Sequence, residues 1–219
     1  MINKQVSSIE AALEGIRDGT TILSAGFGAV GAPDDLLDGV LAMGVRDLVV
    51  VSNNAGSGMR GLAALIDAGM VRKVICSFPR TEDPRAFDAA YKAGRIELEL
   101  VPQGIISERM RCAAAGLGGF YSPVGVGTKL ADGKEVREID GKRYVFEKPL
   151  RGDVALLRAH RADRWGNLAY RKSARNFNPV MAMAAELTVV QTKQLVELGD
   201  IDPECVHTPG IFVDRVVVV

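Results

Sequence analysis

The stretch DGTTILSAGFGAVGAP, residues 18–33, determines the fold expected for the first part of this 219-residue chain. An apolar strand is predicted over residues 21–25, and Gly26, Gly28 and Gly31 follow it at G-x-G-x-x-G spacing. Glycine adopts positive φ and has no side chain, so such a turn lets backbone N–H groups approach an anionic ligand closely. The stretch therefore predicts a strand that runs directly into a ligand-binding turn.

Seven apolar runs of strand length recur along the chain, with helical patterns between them. Several runs are continuous rather than alternating, such as LVVV at 48–51, which is typical of strands buried on both faces. The alternation predicts an α/β fold with an open, mainly parallel sheet of about seven strands covered by helices. The strands are predicted at 21–25, 47–52, 72–78, 96–101, 153–160, 187–191 and 211–218. The helices are predicted at 7–17 with Ser8 as N-cap, and at 33–43, 61–69, 83–92, 107–115 and 176–186.

Residues 128–150 interrupt this rhythm with short, charged segments of high β-propensity. Two D-G dipeptides, Asp132-Gly133 and Asp140-Gly141, punctuate them, and D-G is a strong hairpin signal. We expect a small antiparallel insertion on the edge of the main sheet, with its charges on a solvated face or, alternatively, against a partner. No internal repeat or low-complexity linker is present, so a single domain over residues 1–219 is expected.

Composition and charge exclude several classes of protein. The 27 basic and 27 acidic residues give a net charge of zero, without the basic surplus that non-specific nucleic-acid binding needs. The N-terminal residues lack the apolar core of a signal peptide, and no apolar run approaches a membrane span. We therefore expect a cytoplasmic protein with no membrane or nucleic-acid partner. Cys76, Cys112 and Cys205 are isolated, and His160 and His207 have no metal-ligating company, so buried, inert thiols and no metal site are expected.

The glycine spacing also fits a dinucleotide-binding turn, which would make the chain a NAD-dependent oxidoreductase. That alternative requires an acidic residue about 20 positions further on, at the end of the second strand, to hold the ribose hydroxyls. The second predicted strand instead ends at Asn53 and Asn54, while Asp47 lies at its start. The missing acid makes the dinucleotide interpretation the weaker one.

Neutral amides follow two of the predicted strands. Asn53 and Asn54 end the second strand, and Gln103 follows the fourth. Ligands of open α/β sheets bind just beyond the carboxyl ends of the strands, and amides donate to a carboxylate or thioester carbonyl without adding charge. The turns GFG, SNNAG and PQG are therefore expected to converge on one crevice. The alternative is that these residues only end the strands and form turns.

These turns together resemble the A (alpha) subunit of the family I coenzyme A transferases. The glycine signature of that family is matched by Asp18, Gly19, Gly26, Phe27, Gly31 and Pro33, with departures at Ser24 and Ala25. A side chain at Ala25 requires an ordinary backbone conformation there. Similar segments are VSNNAG (51–56), VPQG (101–104), ERMRCAAAG (108–116), FYSPVGVGT (120–128), ADRWGNLAYRKSARNFNP (162–179) and TPGIFVDRV (208–216). Within the family the chain is similar to members that act on 3-oxoadipate or another 3-oxo acid such as acetoacetate.

The resemblance implies a hetero-oligomer, A2B2, with ping-pong transfer of CoA from succinyl-CoA through a glutamate of the B (beta) subunit. No Glu-Asn dipeptide occurs here, and Ser107-Glu108 precedes Arg109, so Glu108 is expected in the first turn of a helix. No nucleophile is therefore expected on this chain, which would be active only with the B subunit. The CoA thioester is a substrate, and no tightly bound cofactor is expected. A non-catalytic CoA-binding subunit is a further alternative.

The resemblance also implies which residues form the site. Asn53, Asn54 and Gln103 would line the pocket that faces the partner's glutamate and stabilise a developing oxyanion. The CoA-binding segment would comprise Ser24, Ala25, Gly26, Phe27, Gly28, Ala29 and Val30. The basic stretch RKSAR at 171–175 is interpreted either as a contact to phosphates or as a surface salt cluster. Trp165 is expected in packing or an interface.

Overall fold

The computed structural model of the chain describes residues 2–219. Its central feature is an eight-stranded sheet in which all neighbouring strands are parallel. The strands are β1 (Gln5–Val6), β2 (Thr21–Ser24), β3 (Leu48–Val51), β4 (Val71–Cys76), β5 (Glu97–Leu100), β6 (Phe120–Ser122), β7 (Val136–Ile139), β8 (Lys142–Glu147), β9 (Gly152–Ala159), β10 (Arg161–Asp163), β11 (Leu168–Ala169), β12 (Ala185–Thr192), β13 (Leu195–Val196) and β14 (Arg215–Val218). The order in the main sheet is β1-β14-β12-β9-β2-β3-β4-β5.

All seven predicted strand runs lie in this sheet, which confirms the predicted α/β class. The eighth strand, β1, was not predicted, because a strand of two residues is too short to give a periodic signal. It pairs in parallel with β14 through Gln5–Val216 and Val6–Val217. The last predicted run is shorter than expected, because a 3₁₀ turn occupies Gly210–Phe212.

The antiparallel insertion is present, but it forms a sheet of its own. β7 and β8 are joined at Asp140 and Gly141, which have φ of 50° and 75°, as a tight hairpin requires. β6 adds to the other side of β8, so the order is β6-β8-β7, and within residues 2–219 none of these strands pairs with the main sheet. The Asp132-Gly133 dipeptide does not form a hairpin; it follows a 3₁₀ turn over Lys129–Ala131. A third small sheet, β11-β10-β13, was not predicted.

The helices cover both faces of the main sheet. They are α1 (Ile9–Leu13), α2 (Asp34–Met43), α3 (Leu62–Asp67), α4 (Arg85–Lys92), α5 (Gln103–Ala114) and α6 (Asn178–Ala184). Side chains of a strand alternate between faces, so Leu48 and Val50 of β3 pack into one core and Val49 and Val51 into the other. The first core contains α1 to α4, and the second contains α5 and α6. The C-terminal strand ends therefore form one edge between the two helical layers.

Two helix boundaries differ from the prediction in ways that matter for the site. Helix α5 begins at Gln103 rather than near residue 107, because its first turn follows Pro102 directly. Gln103 is thus fixed in a helix and is not a loop residue. Helix α1 ends at Leu13, although Ser8 caps it as predicted, with its hydroxyl accepting from Ala11 N at 3.2 Å.

The thiol prediction is confirmed for two cysteines and is wrong for the third. Cys76 and Cys112 are buried, and burial raises the pKa of Cys76 to about 11, which keeps it protonated. Cys205 is exposed, because it ends a 3₁₀ turn, Pro203–Cys205, on the surface. Within residues 2–219 no helix is both long enough and apolar enough to cross a membrane.

Candidate functional site

The glycine-rich stretch forms a tight loop at the C-terminal end of β2. Phe27 and Val30 exchange two backbone hydrogen bonds of 3.0 and 3.1 Å, so the chain reverses at Gly28. Gly26, Gly28 and Gly31 have φ of 128°, 60° and 72°, a region that glycine reaches without strain. The predicted close-approach turn is therefore present, with backbone conformations that other residues rarely adopt.

Asn176, from the far end of the chain, holds this loop in place. Its Oδ1 accepts a hydrogen bond from Gly26 N at 3.1 Å, and its Nδ2 donates to Val30 O at 3.1 Å. The same Oδ1 accepts from Phe177 N at 2.7 Å, and Nδ2 also donates to Ala174 O at 3.1 Å. One side chain thus ties both ends of the glycine loop to the segment before α6.

The N-terminus of helix α2 is filled by the protein's own side chains. Leu36 N donates to Gln191 Oε1 at 3.1 Å, and Gln191 Nε2 donates to the carboxylate of Asp35. Asp34 and Asp35 place two carboxylates in the first turn. A dinucleotide-binding fold places the pyrophosphate at this helix end. Here the Leu36 amide is already bound by Gln191, and the two carboxylates would repel a phosphate.

The predicted amides meet on the same edge of the sheet. Gln103 Nε2 donates to Asn53 Oδ1 at 2.7 Å, and Ser77 Oγ donates to the same oxygen at 3.0 Å. Asn53 is only 4% exposed. Every fully buried side-chain nitrogen or oxygen atom in residues 2–219 has a hydrogen-bond partner. Asn53 Nδ2 makes no hydrogen bond within this part of the chain, and Asn53 lines the adjoining cavity, so this nitrogen is available as a donor to a ligand there.

That cavity has a volume of about 530 Å³. Asn53, Asn54 and Gln103 all line it, beside Phe27 and Gly28 of the glycine loop. The three turns GFG, SNNAG and PQG therefore converge on one crevice, as expected. Asn54 also fits the alternative interpretation, in which these residues only end the strands and form turns. Its Oδ1 accepts a hydrogen bond from Gly56 N at 2.8 Å in a local turn.

Four further residues of this cavity escaped the sequence analysis. Ser77 and Phe78 lie at the end of β4, and Thr81 and Glu82 lie in the following loop. The strand predicted over residues 72–78 includes Ser77, whereas β4 ends at Cys76. The rule that found Asn53, a polar residue directly after a buried strand, would have found Ser77 had the strand been ended at Cys76.

The segment 24–30 borders three adjoining cavities. One, of about 320 Å³, is lined by Ser24, Ala25, Gly28 and Ala29; the amide cavity is lined by Phe27 and Gly28; and a third, of about 460 Å³, is lined by Ala29 and Val30. Gly26 lines none of the three, and its amide is bound by Asn176. Ala25 does not adopt positive φ, as its side chain requires. The loop therefore separates neighbouring compartments of one crevice.

Two predictions about charged residues are corrected. Glu108 is not in a first helical turn; it lies in the middle of α5 and pairs with Arg111 at 2.6 Å. The RKSAR stretch is not a salt cluster, because Arg171, Lys172 and Arg175 form no ion pair within residues 2–219. The positive charges of Arg171, Lys172 and Arg175 are therefore available to bind a ligand or another protein.

Trp165 and His207 have structural surroundings, whereas His160 is exposed. Asp163 Oδ1 accepts from the backbone N of Trp165 at 2.9 Å and of Asn167 at 3.0 Å, which fixes the turn at this tryptophan. His207 Nδ1 accepts from Tyr170 N at 3.0 Å, and burial lowers the pKa of His207. In residues 2–219 no group of three or more His, Cys, Asp and Glu side chains is placed to hold a metal ion.

The chain belongs to the coenzyme A transferase family, whose model matches residues 6–219. The chain is 60% identical over 219 residues to the A subunit of the 3-oxoadipate CoA-transferase of Pseudomonas putida, covering 100% of this chain and 95% of the relative. It is 44% identical over 216 residues to the A subunit of a probable succinyl-CoA:3-ketoacid coenzyme A transferase of Bacillus subtilis, covering 99% and 90%.

A solved structure supports the fold. The glutaconate coenzyme A-transferase of Acidaminococcus fermentans matches with a TM-score of 0.86 at 21% identity, over 99% of this chain and 75% of that one. The family membership, the filled helix end and the missing ribose-binding acid together overturn the dinucleotide-dependent alternative. The chain is a CoA-transferase component whose polar turns lie on one edge of a parallel sheet.

Proposed function

We propose that this chain is the A subunit of a two-component transferase that moves CoA from succinyl-CoA to a 3-oxo acid, either 3-oxoadipate or acetoacetate. The observation that carries the proposal is the 60% identity, over the whole chain, to the A subunit of a 3-oxoadipate CoA-transferase. The amide-lined crevice at the sheet edge supports it, since it offers neutral donors to a carboxylate or thioester. Residues 1–219 form, in this proposal, a single cytoplasmic domain.

The nucleophile is assigned to the B subunit. Its glutamate attacks the succinyl-CoA carbonyl, expels the CoA thiolate and forms a succinyl–glutamyl anhydride. The thiolate attacks the glutamyl carbonyl of that anhydride, which releases succinate and leaves a glutamyl–CoA thioester. The 3-oxo acid then repeats the two steps in the opposite direction and leaves as its CoA thioester. The CoA is thus a substrate, and no tightly bound cofactor is needed.

The role of this chain is to position and stabilise. Asn53 Nδ2 and Gln103 lie where two strands end, and Asn53 is oriented by the hydrogen bonds its Oδ1 accepts. A preoriented donor in a shielded site stabilises the oxyanion that develops during each attack. Asn54 completes the wall, and the segment 24–30 contacts the CoA.

The surroundings of the crevice support a partner protein. Phe27 and Phe78 are 51% and 56% exposed at its rim, an unusual position for two phenyl rings in a chain that works alone. Glu82 is the carboxylate that lines the amide cavity within residues 2–219, and it is exposed. We assign the covering surface to the B subunit, in an A2B2 assembly.

The test is reconstitution with the B subunit. Asn53→Ala and Gln103→Ala should each lower kcat by about 10²- to 10³-fold while the complex still assembles, because the first removes a donor that acts on developing charge and the second removes the hydrogen bond that orients this donor. Glu82→Gln is the matched control and should keep wild-type turnover. Intact mass after incubation with succinyl-CoA should place the CoA adduct on the B subunit.

Three outcomes would overturn the proposal. Activity of this chain alone would remove the need for the B subunit. Loss of the adduct in the Glu82→Gln variant would place the nucleophile here. CoA binding without turnover in the wild-type complex would instead identify a non-catalytic CoA-binding protein.

A further inference from the structure

A cationic cavity adjoins the glycine loop on the side opposite the amides. Its volume is about 460 Å³, and the backbone of residues 29–31 forms one wall. Arg158, Arg171 and Lys193 line it, together with His160. Among residues 2–219, no Asp or Glu lines it. The cavity therefore concentrates positive charge in a chain whose net charge is zero.

No carboxylate pairs with the cations of this cavity within the described part of the chain. Arg158, Arg171 and Lys193 form no ion pair in residues 2–219. Arg158 donates a hydrogen bond to Ala32 O at 3.4 Å. Its positive charge also acts on the carboxyl group of Asp34. Burial raises the pKa of Asp34, and Arg158 only partly offsets that rise. Arg171 and Lys193 are exposed, so solvent and ligands can reach them.

The fold fixes how far this cavity lies from the amide crevice. Arg158 lies at the C-terminal end of β9 and Lys193 follows β12, whereas Asn53 and Ser77 lie just beyond β3 and β4. In the sheet order β12-β9-β2-β3-β4, β9 and β3 are two strand spacings apart, and β12 and β4 are four spacings apart. At about 4.8 Å for each spacing, the two sites are separated by roughly 10 to 19 Å. The glycine loop, which follows β2, lies between them.

We propose that this cavity binds the phosphate groups of coenzyme A while the thioester lies at the amides. The inference rests on the proposed function, since it takes acyl-CoA as the substrate. A six-carbon dicarboxylic acid spans at most about 8 Å at 1.5 Å for each bond, too short to reach from the amides to these cations. The pantetheine arm of CoA has about a dozen bonds and spans the gap. Guanidinium and ammonium groups are the usual partners of phosphate.

The experiment uses the complex with the B subunit and the double variant Arg171→Gln/Lys193→Gln. Succinyl-CoA and succinyl-pantetheine are compared, because they share the succinyl carboxylate and the thioester but only the first carries phosphates. The KM for succinyl-CoA should rise about 100-fold, roughly tenfold for each charge-assisted contact removed. The KM for succinyl-pantetheine and for the 3-oxo acid should stay unchanged.

Two controls complete the design. Arg151→Gln removes an exposed cation at the opposite end of β9 and should leave every KM unchanged. Arg171→Lys keeps the charge and should retain most of the affinity. Calorimetry with CoA and with pantetheine alone reports on the anion site even if the complex shows no transfer, so failure of the proposed function is recognised separately.

Each contrary result overturns the phosphate assignment in a defined way. An equal rise for both thioesters would place these cations near the reacting end. A rise confined to the 3-oxo acid would make this a carboxylate site. Loss of assembly in the double variant would make it a contact for the B subunit, and unchanged constants would leave the cations without a role in binding.

Discussion

Asn176 is expected to determine how well the glycine loop is preorganised. It adopts a φ of 23° and joins Gly26 N and Val30 O, across 150 and 146 residues of sequence. Asn176→Gly removes both hydrogen bonds but tolerates the backbone conformation. At about 1 kcal/mol net for each bond, the loop loses about 2 kcal/mol of local stability. That corresponds to roughly 30-fold more frequent opening.

Hydrogen exchange measures this change directly. The Gly26 amide should exchange about 30-fold faster in the variant, while amides in the centre of β9 keep their wild-type rates. The KM for acyl-CoA in the reconstituted complex should rise, because binding must then order the loop. Asn176→Ala loses the same bonds and, at this positive φ, is expected to be about 1 kcal/mol less stable than Asn176→Gly. Unchanged exchange at Gly26 in the glycine variant would refute the reasoning.

Two further predictions follow from the loop and from an ion cluster. A Cβ at Gly28 would meet no heavy atom of the described residues within 4 Å, whereas a Cβ at Gly31 would lie 2.7 Å from the Asn176 side chain and 2.8 Å from a backbone oxygen. Both positions have positive φ, so a side chain is strained at either, but only Gly31→Ala adds these clashes, and it should lower Tm by several degrees more than Gly28→Ala in a melting experiment. Gly28→Val should in addition raise the KM for acyl-CoA, and the reverse Tm ranking of the two alanine variants would contradict the loop geometry. Burial raises the pKa of Glu99, but hydrogen bonds from Lys73 and Arg109 outweigh it and leave that pKa below its ordinary value of 4.5. The unfolded state then binds the proton more readily, so this contribution to stability is present above pH 4.5 and is lost as pH falls through the lowered pKa. Glu99→Gln should flatten the acid side of the stability curve, and an unchanged acid limb in urea melts would argue against it.

The sequence was sufficient for the sheet and for the location of the crevice. Continuous apolar runs such as that at 48–51 mark strands buried on both faces, and seven of them gave seven of the eight parallel strands. Because parallel strands end at one edge, Asn53 and Gln103 could be expected to meet there, and their side chains lie 2.7 Å apart. The periodic pattern is a local property of the chain, so it can be recognised in the sequence without knowing the tertiary structure.

The arrangement around that crevice depended on contacts that no local pattern encodes. Asn176 reaches Gly26 across 150 residues, and Ser77 orients Asn53 only because β4 lies beside β3. The cations at Arg158 and Lys193 come together because β12 pairs with β9, although 35 positions separate them in sequence. Strand order sets which ends are neighbours, and it follows from the packing of the whole chain. The sequence therefore determined which residues stand at strand ends, and the tertiary structure decided which of them share a compartment.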